Sequence, residues 1–179
     1  MTFLRVLTRC YRRPVMLQRN IASLCAQTDE DWEQTLLVDT EGRGVPAAQR
    51  ALAAHAPYLQ GDYVWVLDDD DECIRPELVA ELKAIAKAHS PNVIMLRMDH
   101  GERGVLPNVG WHGKPEQGDI GCSAFVVDCV TWWACSTAWG EQYDGDFEFI
   151  SEVLSTDPDI YWHDVIASRC QRISHGEPE

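Results

Sequence analysis

Asp62-Tyr63-Val64-Trp65-Val66-Leu67-Asp68-Asp69-Asp70-Asp71-Glu72 is the stretch on which the fold turns. Asp62 to Leu67 reads as a strand, rich in aromatic and β-branched residues and of buried composition. Five carboxylates come next without a break. Their mutual repulsion is relieved in a surface tail by extension and solvation, a relief not open to residues fixed at a strand end. Two readings of the run stand side by side. It is a site for a hard divalent cation, Mg2+ or Mn2+, held by few carboxylates and shared with phosphates. Otherwise it is a solvated loop whose acids favour the positive end of the helix opened by Pro76. An EF-hand is excluded, because the central Gly and terminal Glu are not at the required spacing.

The same strand-then-helix unit recurs outward from this point. Phe3 to Thr8 reads as a strand, and Pro14 opens a helix to about Gln27 with Leu17, Ile21, Leu24 and Cys25 on one face. Thr35 to Asp39 is a second strand, Gly42 to Gly44 a loop, and Pro46 opens a helix to about Ala56. The helix after Pro76 aligns Leu78, Leu82, Ile85 and Ala86, and Asn92 to Met98 is a fourth strand. Alternation of this kind implies right-handed crossovers and a mostly parallel sheet. Ligands then bind at the carboxyl ends of the strands, here residues 8–13, 39–44 and 68–72. The second half is less regular. Residues 99–118 are loop-rich, with a short strand expected at Val109 to His112. A strand at Cys122 to Val127, a helical turn or two at Val130 to Cys135, a helix at Phe147 to Leu154 and a last strand at 160–163 or 165–168 complete the reading.

The chain has 179 residues, of which 45% are hydrophobic and 25% charged, as in one globular domain. Fifteen Lys and Arg against 29 Asp and Glu leave a formal charge of −14, which argues against nonspecific nucleic-acid binding and anionic membrane surfaces. Yet Arg5, Arg9, Arg12, Arg13 and Arg19 precede the first acid, Asp29, so a basic pole suited to a small anionic ligand lies at the start of an acidic protein. The longest uncharged stretch, Cys129 to Gly140, is far short of the roughly 20 apolar residues of a membrane span, and no signal-peptide pattern is present. A cytoplasmic location is expected. Seven cysteines without a Cys-x-x-Cys pair indicate buried, reduced thiols.

The pattern Gly61-x-Tyr63-x-x-x-Leu67-Asp68-x-Asp70-Asp71, followed by Pro76-x-Leu78, resembles the D-x-D region of family-two glycosyltransferases of GT-A fold. Upstream, Tyr11 to Pro14, Leu17, Arg19, Ser23, Leu24, Ala26 to Thr28, Trp32, Glu33, Val38 and Asp39 resemble the same family's first strand, helix and second strand. The likeness runs from residue 3 to about residue 90. It implies an α/β fold, a GT-A type three-layer α/β/α sandwich with a mostly parallel central sheet and a mixed C-terminal part, in a single domain. Its nucleotide-binding half would be about 1–98 and its acceptor half about 99–179. The implied activity is metal-dependent transfer of a sugar, with inversion, from a nucleotide-diphospho-sugar, a UDP-sugar being favoured, to the hydroxyl of an unidentified acceptor.

Residue by residue, the resemblance implies that Tyr11 lies near the base or ribose and that Asp39 accepts a hydrogen bond from the base. Arg50 matches an Arg after the second strand, although Ala51 stands where the family has Asn. Asp68 would reach the ribose or, through water, the metal; Asp69 adjoins the donor, and Asp70 would bind Mn2+ or Mg2+ at the diphosphate, assisted by Arg9. His175 resembles a late His that completes the metal shell. Inversion needs a base for the acceptor hydroxyl. Asp146, in Asp144-Gly145-Asp146-Phe147-Glu148, matches the second residue of the family's Glu-Asp motif, with Gly145 in place of Glu. Asp146 as a helix N-cap is compatible with that role, and Asp144 and Glu148 are lesser candidates. Trp111 in the glycine-rich loop is a candidate sugar-stacking face. Two other functions compete: a catalytically silent nucleotide-sugar or metal-binding module, to which Gly145 and Ala51 point, and a nucleotidyltransferase, against which the absence of Gly from residues 8–14 counts. An oligomer is compatible with all of these.

Overall fold

Alternation along the strands decides which helix covers which side of the sheet. In the computed structural model, which describes residues 2–108, 111–140 and 142–171, the order is β1 (Leu4–Cys10), α1 (Pro14–Cys25), β2 (Trp32–Val38), α2 (Val45–His55), β3 (Tyr63–Val66), β4 (Asp71–Cys73), α3 (Leu78–His89) and β5 (Val93–Asp99). Next come β6 (Val105–Leu106), β7 (Phe125–Asp128), α4 (Cys129–Cys135), α5 (Gly145–Ser155) and β8 (Ile160–Cys170). Leu4, Val6, Trp65, Ile94, Leu96 and Val126 face α1 and α3, and pack with Leu24, Leu78, Leu82 and Ile85. Leu7, Val64, Val66, Val93, Met95 and Val127 face the other way, against Leu52 of α2, Trp132 of α4 and Phe149, Ile150 and Val153 of α5. The result is a three-layer α/β/α sandwich. Each fully buried side chain of this kind contributes roughly 1.5–3 kcal/mol against its exposed state. Trp65 also satisfies its indole N–H on the Ser123 carbonyl at 3.0 Å.

The sheet order is β2-β1-β3-β7-β5-β8-β4, with β6 paired to β5. β1 pairs in parallel with both β2 and β3, and β5 in parallel with β8. β7 enters antiparallel between β3 and β5, so the fourth strand of the run does not lie beside the third. That insertion is a long-range pairing, invisible to local periodicity. The last strand is continuous over Ile160–Cys170, in place of either of the two short pieces expected, because β5 pairs with it across irregular register between Met95 and Met98. Val109 and Gly110 lie outside the described residues; His112 sits in a turn at φ +65°, and the strand in this segment is Val105–Leu106, hairpinned to Met98 and Asp99.

Pro76 stands two residues before α3. Its carbonyl accepts the Thr28 N–H at 2.9 Å, and a turn returns the Leu78 N–H to the Arg75 carbonyl at 3.1 Å. All seven cysteines are unpaired, and Cys10, Cys73, Cys122 and Cys135 are buried as expected. Cys25 is exposed, at the end of α1, and Cys129 and Cys170 are partly exposed.

The acidic run is not a free loop. Residues 71–73 form β4, antiparallel to residues 168–170 of β8, so Asp71 and Cys73 turn inward while Glu72 turns out. Asn20, fully buried on α1, points its Nδ2 at the carbonyls of Asp68 at 2.9 Å and Asp71 at 3.0 Å. Gln34 on β2 orients that amide by donating to its Oδ1 at 2.7 Å. Loss of a donor shared by buried carbonyls costs about 1–3 kcal/mol. Asn20→Ala is therefore expected to lower stability by about 2 kcal/mol in urea unfolding, and Asn20→Asp, which removes the same N–H donors, to be no better.

Candidate active site

β1, β2 and β3 are parallel, and their carboxyl ends open on one cavity of about 880 Å3. Leu36 to Val38 form one wall, the acidic turn the floor, and residues 117–122 with 143–146 the opposite rim.

Arg9 follows Leu7 on the face of β1 that looks toward α2 and α5. Its fork is closed on Asp68: Nε donates to Oδ1 at 2.6 Å and Nη2 to Oδ2. Nη1 donates to Gln49 Oε1 at 3.0 Å, and Cys122 Sγ donates to Asp68 Oδ2 at 3.2 Å. Burial opposes ionisation of Asp68, but the Arg9 charge and hydrogen bonds outweigh it and hold the carboxyl below its ordinary range. Burial also works against the Arg9 cation, and Asp68 more than restores it. Burial, then the Asp68 charge, push the Cys122 thiol far up, so it remains protonated.

The loop after β1 supplies a second cation. Arg12 takes a left-handed φ of +50°, a conformation that costs a non-glycine residue about 1 kcal/mol. The turn aims the Tyr11 N–H at Asp69 Oδ2, 2.9 Å away, and brings Arg13 Nη1 within 3.0 Å of Asp69 Oδ1 and 2.5 Å of Asp70 Oδ2. Asp69 is thereby sealed at 3% exposure. Asp70 remains half-open, its carboxyl raised by burial and by Asp68. Asp71 is buried against the same charges and raised well above the usual range, again chiefly by burial.

At the far wall Asp39 receives the backbone N–H groups of Glu41 and Gly42 on Oδ1, at 3.0 and 2.9 Å, and that of Arg43 on Oδ2 at 2.6 Å. Desolvation works against the anion, yet these bonds keep its carboxyl below the ordinary value. Gly42, at φ +76°, lets the Tyr11 ring close on this loop, since a Cβ there would come within 2.2 Å of Tyr11 Oη.

Asp146 is the second residue of α5, facing the cavity across from Arg9. The N-cap position belongs to Asp144, whose carboxylate accepts from Gln117 instead of capping the helix. Burial pushes the Asp146 carboxyl up to about 6, helped by Asp68 and opposed by the Phe147 N–H and Arg9. A carboxylate with that value serves well as a general base near neutral pH.

Arg9, Tyr11, Asp39, Asp68, Asp69, Asp70 and Asp146 thus share one cavity. Two expected residues stand apart from its lining. Trp111 packs edge-on against Trp162 with its ring 4.2 Å from the Arg97 guanidinium, and Arg50 is on the exposed face of α2. His175 lies outside the described residues. Gln49, His100 and Cys122 line the cavity without having been foreseen. Gln49 shares the buried face of α2 with Leu52, where a polar side chain is a readable anomaly. His100 follows the carboxyl end of β5, and its buried Nδ1 has no hydrogen-bond partner among the described residues. No cluster of three or more His, Cys, Asp or Glu able to hold a metal ion is present among the described residues.

Solved structures share this architecture. The S. aureus TarS 1–349 structure in complex with UDP superimposes with a TM-score of 0.73 at 10% identity, over 96% of this chain and 61% of that one. The fold is that of the GT-A glycosyltransferases. The GT-A likeness extends to TarS 1–349 with UDP-GlcNAc (TM-score 0.68, 12% identity, 98% of this chain and 60% of that one). It extends also to the Pyrobaculum calidifontis mannosyltransferase PcManGT with GDP-Man and Mn2+ (TM-score 0.68, 9% identity, 97% and 58%). The chain therefore spans about three fifths of the length of these GT-A structures. No family model and no curated protein matches it, and no helix among the described residues is long and apolar enough to cross a membrane.

Burial of Asp146 makes folding stability depend on pH. Its charged form is disfavoured in the folded state, so ionisation costs stability at neutral pH, and wild type recovers that loss as pH falls through 6 toward the ordinary carboxyl value of 3.8. Asp146→Asn is expected to be more stable than wild type at pH 7.5 by up to about 3 kcal/mol, with the gap narrowing at pH 5, in urea titrations at both values.

Proposed function

We propose that this chain transfers a sugar from a nucleotide-diphospho-sugar to an acceptor hydroxyl, with inversion at the transferred carbon. The observation that carries the reading is the convergence, in one cavity of a GT-A fold, of a cationic first loop, an acidic turn and a carboxyl pushed up to about 6 on the opposite rim. Structural neighbours of this fold are known with UDP, UDP-GlcNAc and GDP-Man.

In this reading the nucleoside lies along Leu36 to Asp39 and Tyr11, with uracil favoured as the base that hydrogen-bonds Asp39. The diphosphate lies over the acidic turn, which needs a cation to receive it. Asp68 and Asp69 are engaged by Arg9, Tyr11 and Arg13, so the protein offers chiefly Asp70, with Asp68 behind it, a donor set that suits Mg2+ or Mn2+ taking most ligands from phosphate and water. His175 would add a further ligand. The ion, when bound, neutralises charge on the departing nucleoside diphosphate. Asp146 takes the acceptor proton. The desolvation that raises its carboxyl also leaves it protonated below pH 6, so transfer would fall on the acid side of that value. Acceptors would enter between residues 117–122 and Tyr143. The absence of a membrane-spanning helix among the described residues is compatible with the cytoplasmic location expected from the sequence.

Arg13 already occupies part of the cation's place on Asp70. Arg13→Gln is therefore expected to bind Mn2+ alone at least tenfold more tightly than wild type, read by electron paramagnetic resonance. For the reaction itself, donor hydrolysis and transfer with Mn2+ should fall at least a hundredfold in Asp70→Ala and in Asp146→Asn. Undiminished activity in both would sink the mechanism. Metal-dependent UDP binding by calorimetry without turnover on an acceptor library would leave the chain a binding module.

A further inference from the structure

Gln49 is 2% exposed on α2, and its side-chain amide touches two parts of the site at once. Its Oε1 accepts from Arg9 Nη1 at 3.0 Å, the same guanidinium whose other nitrogens grip Asp68. On the opposite side the amide lies against Gly145, the first residue of α5: a Cβ built there would stand 2.6 Å from Gln49 Nε2 and 2.7 Å from Cδ. Gly145 immediately precedes Asp146. A buried amide is costly unless its polar atoms are paired, and an apolar residue beside Leu52 would fill the same space without that cost. The amide therefore calls for a role that Leu or Met would not serve.

We propose that Gln49 is a positioning residue: it holds the Arg9 guanidinium between Asp68 and Asp146, and the missing side chain at Gly145 is the space it needs to do so. The kinetic part of this inference rests on the transferase reading, whereas the contact itself does not. Arg9 and Asp146 line the same cavity, and without the Gln49 acceptor the guanidinium plane is set only by Asp68 and by the Cys122 sulfur, 3.5 Å from Nη2. Gly145 and Gln49 then form one unit, which accounts for glycine at a position where a larger side chain would push the amide off Arg9.

Two measurements test the unit. The first is a stability cycle by thermal unfolding. Gly145→Ala is expected to lower Tm in the wild-type background, because the new methyl displaces the amide. In the Gln49→Ala background, where the space is free, it should raise Tm, because alanine favours the helix. Equal shifts in both backgrounds would overturn the contact. The second is steady-state transfer by Gln49→Met, which keeps the volume and loses the acceptor. A fall in kcat of at least tenfold with donor KM within threefold, reproduced by Gly145→Ala, supports positioning; kcat within twofold of wild type overturns it. A wild-type chain that transfers nothing would overturn the transferase reading and Gln49's kinetic part with it, while the Tm cycle decides the contact on its own.

Discussion

Four aspartates in succession, fixed at the end of a buried strand, set the terms for everything around them. Two like charges at 4 Å repel by about 4 kcal/mol near a protein surface, so the turn cannot stand without nearby cations and fixed dipoles. Arg9 and Arg13, four residues apart, take the first three carboxylates between them. Asn20 and Gln171 hold the backbone beneath, and β8 pairs with β4 directly after the turn. The fourth aspartate is released from the conflict by burial, which favours its neutral form. Strand, first helix and last strand are tied together by one electrostatic problem.

That arrangement changes how the basic first loop is understood. A cluster of arginines ahead of an acidic chain suggests cations held out for phosphate, yet the Arg9 guanidinium is taken up by Asp68 and Gln49. The acidic turn is therefore an internally balanced surface, with its charges met from within the fold. Asp146 completes the balance from the other side. It is kept high by exclusion of water, a feature that favours proton transfer and works against the stability of the fold.

The first half of the molecule was legible because its information is local. Proline at helix starts and the run Tyr63 to Leu67 report on their own surroundings, although the buried stripe of α1 is Met16, Asn20 and Leu24 and not the expected Leu17, Ile21, Leu24 and Cys25. The rule that ligands sit at strand ends pointed to the cavity. What stayed hidden is non-local. β7 entering between β3 and β5, and β4 pairing with the last strand, depend on residues far away in the chain. The Arg9–Asp68 fork spans 59 positions and leaves no mark in either segment alone. Trp111 was misleading for a related reason: a tryptophan in a glycine-rich loop looks available until the guanidinium and indole that cover it come in from β5 and β8. Gln49 and Asn20 were unforeseen residues with a local signature, a polar side chain on a core-facing stripe.

The length of β8 bears on the order of assembly. Asp71 pairs with Cys170, and the Asp70 carbonyl is closed by the Gln171 N–H at 2.6 Å. The acidic turn is made early in synthesis, but its last backbone partners are made nearly a hundred residues later. Non-local closure of this kind is slow, since the loop entropy is lost before the contact forms. The sheet waits as well, because β7 enters between β3 and β5 and β8 pairs with β5, so the acidic turn is closed only as the last strand is laid down.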